Sequence, residues 1–265
     1  MDKFLIKILV LMVAIFYPKF VNADALIGEV TKEDYALKRP QVVDADSKRP
    51  IKDANVLIPS ENKIDRTDEN GYFKIKPSGQ NPVILSIQKD GYRPFSMTLQ
   101  DGKLVGGVSL ELEKKSPLDV VVSSELLHLG DDSFSANSAG ACQIFSPCVG
   151  PSFTKSFYVG NITPKSKVYV YIGSVIGIDT VQAMRLKQNN LTSAFSSPVE
   201  IFVNKTKIGE LKINGDNQKI QIPNKLLKSV SNNMLTVKTG TNRTSRDGVD
   251  YDVIQLMNLI VNVKN

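Results

Sequence analysis

Tryptophan is absent from this 265-residue chain, histidine occurs once and cysteine twice. Each shortage removes a class of function. With His128 alone, neither a His-Glu-x-x-His pair nor a zinc site with two histidines and a glutamate can be assembled. No Gly-x-Ser-x-Gly elbow is present, so a serine-hydrolase nucleophile has no local signature. An isolated histidine between Leu127 and Leu129 reads as a hydrogen-bonded core or rim residue, because general-base work needs a positioned nucleophile or substrate. The missing indole takes away the commonest flat platform for a pyranose ring. No apolar run approaches the ~20 residues needed to span a bilayer. Lysine and arginine are dispersed rather than concentrated on one stretch, which excludes the basic footprint of a nucleic-acid partner.

What is present begins with an export signal. Asp2, Lys3 and Lys7 precede the apolar run from Ile8 to Tyr17, and Val21-Asn22-Ala23 places small residues where a signal peptidase reads. Residues 1–23 are therefore expected to be a signal peptide, cleaved after Ala23, with no cysteine nearby to carry a lipid. Removing three lysines and one aspartate takes the net charge from +6 to +4. The mature chain is expected to be soluble, secreted or periplasmic, with no integral membrane segment. In that oxidising setting Cys142 and Cys148, in "ACQIFSPCVG", are expected to form a local disulfide; two thiols are the alternative.

From residue 25 onward apolar and polar residues alternate over short stretches punctuated by Gly, Asn, Asp and Pro. "KVYVYIG", "VEIFVN", "KIGELKI", "KIQIP", "MLTVKT" and "LIVNV" are such stretches. This is all-β patterning, of the sandwich or barrel kind. Asn224 before "KLLKSV" is placed to cap a turn or two of helix. "VQAMRLKQ", 181–188, fits either strand or helix. The charged run and Ser-Pro of "LEKKSPL" predict a linker at 114–118 between domains at 24–113 and 119–265.

The stretch "DRTDENGYFKIK", 65–76, raises the question of a metal loop. Aligning Gly71 with the glycine of an EF-hand puts Arg66 at the leading ligand position and Pro77 where the closing glutamate belongs, so that reading fails. Asn70-Gly71 instead suits a tight turn with positive φ at both positions, joining "NKIDRT" and "YFKIK" as hairpin strands.

Pro50, Asp53-Ala54-Asn55-Val56, Thr67-Asp68-Glu69-Asn70-Gly71-Tyr72-Phe73 and Gly91-Tyr92 follow one another in an order that resembles the carboxypeptidase regulatory-like domain, a transthyretin or prealbumin-type β-sandwich. The resemblance covers roughly residues 26–112 and departs from the family in the longer stretch between Val30 and Val43. It implies a rigid, non-catalytic appended module, with Ala54, Val56, Phe73, Ile75, Val83, Leu85 and Ile87 facing inward.

In residues 118–265, "SELLHLGDDSF", "VEIFVNKTKIGEL", "KIQIPNKLL", "NMLTVKTG" and "DGVDYDVIQLMNLIVNV" succeed one another in an order similar to the galactose-binding-like jelly roll. Within it the loop "GTNRTSRDGVDYD" is a candidate ligand site. Arg243 and Arg246 offer forked donors, Asp247 and Asp250 offer acceptors, and Tyr251 offers a stacking face. A polar turn held by its own Arg–Asp pairs is the plainer reading. Tyr158, Tyr169 and Tyr171 are substitute platforms, and alternation expects one of them in the core. The jelly-roll resemblance implies a structural Ca²⁺ where an early loop meets the last strand, with Asp131, Asp132 and Asp252 as its oxygens; capped turns are the alternative. No other cofactor is implied. The expectation is an exported, non-enzymatic binding protein whose partner is a carbohydrate or a cell-surface protein. A polysaccharide hydrolase is the alternative, since a working carboxylate pair leaves no motif. So is a structural subunit of a surface assembly.

Overall fold

The computed structural model describes residues 39–264, apart from 80, 102, 105–106, 133–146, 161, 190–194 and 243–247. The expected signal peptide and residues 30–38 of the Val30–Val43 stretch lie outside the described residues. Six strands build the first sandwich: β1 (Gln41–Asp44), β2 (Asn55–Ile58), β3 (Lys63–Arg66), β4 (Val83–Gln88), β5 (Phe95–Leu99) and β6 (Ser109–Leu112). Four pair antiparallel in the order β3-β2-β4-β5, and β1 pairs in parallel with β6. Val42, Val56, Phe73, Leu85, Ile87 and Leu112 meet between these layers, all at 1% exposure or less. Ala54, Ile75 and Val83 join them, so the inward set expected from alternation holds throughout.

Gly71 carries the expected positive φ, +74°, and its N–H donates to the Asp68 carbonyl to close the turn. A Cβ there would lie 2.4 Å from the Val42 carbonyl oxygen, so the position admits only glycine. Two details of the hairpin expectation are corrected. Asn70 is not in the positive-φ region. The segment after the turn forms no ladder with β3: Tyr72 bridges to Gln41 of β1, and the Asp65 carboxylate takes the N–H of Lys74. The acidic side chains are acceptors for the turn's own backbone. Asp68 Oδ1 accepts from the N–H groups of Asn70 (2.9 Å) and Tyr72 (3.0 Å).

Eleven further strands follow: β7 (Asp119–Ser123), β8 (Leu127–Leu129), β9 (Ser152–Phe157), β10 (Lys167–Ile176), β11 (Val199–Val203), β12 (Thr206–Leu211), β13 (Gly215–Ile222), β14 (Asn233–Lys238), β15 (Thr241–Asn242), β16 (Asp250–Tyr251) and β17 (Ile254–Lys264). One sheet runs β13-β10-β17-β7, with β8 also on β17; the other runs β12-β11-β14-β9. Val168, Val170 and Ile172 of β10 face Ile201, Leu235 and Val237 across the core. Tyr169 and Tyr171 share the opposite face, half-buried, and Tyr158 is 52% exposed. None of the three tyrosines is core, which corrects that expectation. The ambiguous segment is helical at Val181–Arg185, where Thr180 accepts from Ala183 N. Asn224 does not cap. It opens a 3-10 turn, Asn224–Leu226, and its amide ties to the carbonyls of Thr163 and Ser166.

Pro40–Asn265 is one compact unit. The segment expected as a linker is pinned: Lys115 N donates to Gly91 O, and Lys114 bridges to Tyr92. A small cluster of Ile84, Ile176, Val253 and Met257 lies between the sandwiches. The Asp216 carboxylate accepts from the backbone N–H and hydroxyl of Thr98, stopping the open edge of β5. β17 is consequently buried along both faces, with only Lys264 exposed.

Candidate functional site

Two places gather polar chemistry. The first is the rim where β8, β15 and β16 end. Asp131 Oδ2 accepts from the N–H of Tyr251 at 2.8 Å, joining positions 120 residues apart. Asp132 Oδ1 accepts from Cys148 N at 2.7 Å. His128, on β8, lies with Nε2 3.7 Å from the Cys148 sulfur. Burial lowers the imidazole's pKa and pushes the thiol up to about 11, so both groups are neutral at physiological pH. Tyr251 is half-buried and Asp250 buried, so Asp250 is not the open acceptor that the loop reading supplied. Arg243, Arg246 and Asp247 lie outside the described residues, and so does Cys142, the expected disulfide partner of Cys148.

The three carboxylates expected to hold calcium have other partners or positions. Asp131 and Asp132 are engaged by backbone N–H groups, while Asp252 is wholly buried. Among the described residues no three acidic, histidine or cysteine side chains group as metal ligands. Asp252 Oδ2 accepts from the Ser196 hydroxyl at 2.7 Å and from Asp179 N at 3.3 Å. Burial, and then the neighbouring Asp179 carboxylate, raise its pKa well above the ordinary carboxylate range. It is a structural acid at the base of the rim, where its own carbonyl also accepts from the Thr239 hydroxyl.

The second place is the joint. Arg93, between β4 and β5, grips the buried Asp119 carboxylate through Nε (3.2 Å) and Nη2 (3.0 and 3.1 Å), and Glu113 through Nη1 (2.9 Å). Its guanidinium also stands 5.4 Å from the Tyr171 ring centroid. Beside it opens a cleft of about 390 Å³ whose walls include Ser96, Glu111, Glu113, Tyr171, Asn217 and Asn258. Sequence reasoning missed this cleft. The available signal was Asn258, a lone amide interrupting the buried apolar run from Leu256 to Val261.

These two joined all-β sandwiches define a class of architecture, and the family comparison then places its first part. Residues 40–122 match the model of the CarboxypepD_reg-like domain. No curated protein matches the chain. Three solved structures are distantly similar. A β-porphyranase of glycoside hydrolase family 86 from Bacteroides plebeius is 10% identical with a TM-score of 0.30, the match covering 81% of this chain and 30% of that one. This chain thus spans less than a third of the porphyranase. A DUF3823 family protein from Bacteroides ovatus is 11% identical with a TM-score of 0.21, covering 84% of this chain and 97% of that one. A candidate carbohydrate binding protein from Bacteroides uniformis is 12% identical with a TM-score of 0.19, covering 84% and 96%. Likenesses this distant carry nothing about ligand or activity.

Proposed function

We propose that this is an exported, non-catalytic carbohydrate-binding protein, secreted or periplasmic. On this reading the second sandwich is a galactose-binding-like jelly roll that binds through its rim, and the first is the structural module. The domains are those expected at 24–113 and 119–265, with the pinned 114–118 segment between them. The observation that carries the reading is how the rim's charged groups are used. Asp131 holds the backbone N–H of Tyr251 and Asp132 that of Cys148, which leaves Tyr251 at the rim as a half-buried aromatic. A fixed aromatic flanked by polar groups suits recognition of a hydroxylated ring.

Catalysis is disfavoured on chemical grounds. A thiol raised to about 11 beside a neutral imidazole is not an activated nucleophile. Asp179 and Asp252 have no exposed surface on which to meet a substrate. Glu111 and Glu113 stand two apart along one chain segment, so they project from the same side and do not straddle a glycosidic bond. A glycan array probed with the exported protein tests the reading. Saturable binding without cleavage products is expected, and Tyr251→Ala should weaken it about tenfold. Release of sugar from any bound glycan would replace this reading with a hydrolase.

A further inference from the structure

Lysines that lie far apart in the sequence are gathered at one end of the second sandwich. β9 and β11 run away from the rim and β14 runs back toward it, since β14 is antiparallel to both. The connections 158–166, 204–205 and 223–232 therefore meet at the end opposite the rim. They carry Lys165, Lys205, Lys225 and Lys228, with Lys167 opening β10 beside them, and they contain no aspartate or glutamate. All five lysines are exposed, and none forms an ion pair among the described residues. Lysines elsewhere are compensated: Lys48 by Glu111, Lys52 by Glu69, Lys207 by Glu200 and Glu210. Asp119, which opens β7 at this end, is buried and held by Arg93 and Asn262.

Asparagine amides tie the three connections together. Asn224 Nδ2 donates to the carbonyls of Thr163 (3.2 Å) and Ser166 (2.8 Å), joining 223–232 to 158–166. Asn204 Nδ2 donates to Leu226 O (2.7 Å) and to Asn233 Oδ1 (2.8 Å), joining the β11–β12 turn to the same connection. Asn233 closes the base of the loop through the N–H and carbonyl of Lys228. Asn204 and Lys205 both have positive φ, +49° and +69°, as a two-residue hairpin turn requires, so Lys205 stands at its tip. The cations are carried on one braced surface.

An apolar tip stands among them. Val230, on the bend after Lys228, is 92% exposed, more than any other large apolar side chain among the described residues. Tyr158, 52% exposed, follows β9 at the same end. A single exposed apolar residue is ordinary. A valine tip flanked by uncompensated lysines and an exposed tyrosine is a more particular mixture. It suits a lipid headgroup layer, where lysines meet anionic lipid, an apolar tip enters the acyl boundary, and tyrosine rests at headgroup depth.

The choice of cation narrows the partner further. An ammonium is a point charge and does not select a carboxylate or sulfate by shape, as a guanidinium fork does. None of the five lysines lines the clefts near the first sandwich. Point charges spread over loop tips suit an extended anionic surface better than one enclosed anion.

We propose that this end of the second sandwich docks peripherally on an anionic lipid bilayer, with Val230 entering the headgroup layer. Such docking needs no membrane-spanning segment. It requires neither the rim site nor a glycan ligand.

The test is co-sedimentation of the exported protein with lipid vesicles. Vesicles of phosphatidylcholine with about one-third phosphatidylglycerol should capture it at ~0.05 M salt and release it at ~0.5 M, and pure phosphatidylcholine should not capture it. Each lysine at such a surface contributes about fivefold in affinity, so Lys225→Gln with Lys228→Gln should weaken binding about twentyfold. Val230→Ser should weaken it several-fold and leave its salt dependence unchanged. Lys212→Gln with Lys238→Gln removes the same charge at the rim end and should change binding less than about twofold. No capture at low salt, equal capture by neutral vesicles, wild-type binding by the Lys225/Lys228 variant, or an equal loss in the rim-end control would overturn the proposal. So would capture by polygalacturonate without capture by anionic vesicles, which would make the surface a site for acidic polysaccharide.

Discussion

In the first sandwich no strand exceeds six residues, and acidic side chains hold the turns. Asp44 Oδ1 accepts from Asp46 N, Ser47 N and Ser47 Oγ, Asp68 from Asn70 N and Tyr72 N, and Glu61 from Ser78 N. In the second, β10 and β17 run ten and eleven residues side by side, and the larger apolar cluster lies beneath them. A small sandwich buries too little surface to rely on its core, so local hydrogen bonds supplement it. A larger one spreads stability over long ladders whose partners are distant in sequence. Local encoding leaves motifs; distributed encoding leaves only alternation. That is a physical reason why the family match falls on residues 40–122.

Core truncation is the strongest way to sharpen this comparison. Phe73 is the largest side chain in the small core, at 1% exposure, and Phe73→Ala should cost about 3–5 kcal/mol. Calorimetry should show the first sandwich's transition falling much further than the second's. A single transition moving as a whole would mean that the Ile84–Met257 cluster couples them completely.

Backbone strain comes next. Gly71→Val combines positive φ with a Cβ forced against the Val42 carbonyl, and should cost about 2 kcal/mol or more in denaturant melts of the first sandwich. The turn acceptor is smaller again. Asp68→Ala loses both N–H contacts and should cost about 1–2 kcal/mol, while Asp68→Asn keeps an oxygen in place and should cost less than ~0.5 kcal/mol. Added calcium should alter neither melt. Protection of the wild type by calcium would return the turn to the metal reading.

The finest contrast is one of direction. Hydrogen bonds from Ser47 hold the Asp44 carboxyl far below its usual range, and Tyr92 and Lys114 add to this. Its contribution is present above the ordinary carboxylate pKa of about 4 and is lost as pH falls through its folded value. Asp252 is shifted upward by burial and by Asp179. Its contribution is present below about pH 4 and is lost as pH rises through its folded value. Amide hydrogen exchange followed against pH should therefore show the two sandwiches drifting oppositely, and Asp252→Asn should flatten the drift of the second. Parallel drifts would break the comparison.

Much of this was legible in the chain. Alternation located β10, β11, β12, β13, β14 and β17, and the Asn-Gly turn emerged from a few adjacent residues. The sites were less legible. The jelly-roll resemblance made Asp252 a calcium ligand, yet it is buried where β16 meets β17 and faces Asp179. Nothing local distinguishes a carboxylate that will be desolvated from one that will stay wet. Asn70 failed for a related reason: its dipeptide prefers two positive-φ positions, but β1 captured Tyr72 and the turn closed with one.

The sequence by itself determined the all-β class, the glycine at Gly71, the inward set of the first sandwich and the scarcity of catalytic side chains, because each depends on neighbours within a few residues. Only the tertiary structure decided that the segment at 114–118 would be pinned, that Asp131 would hold the backbone of Tyr251, and that Arg93 would grip the buried Asp119. Those outcomes depend on which strands become neighbours. That choice is made by burial summed over the whole chain, and no short stretch records it.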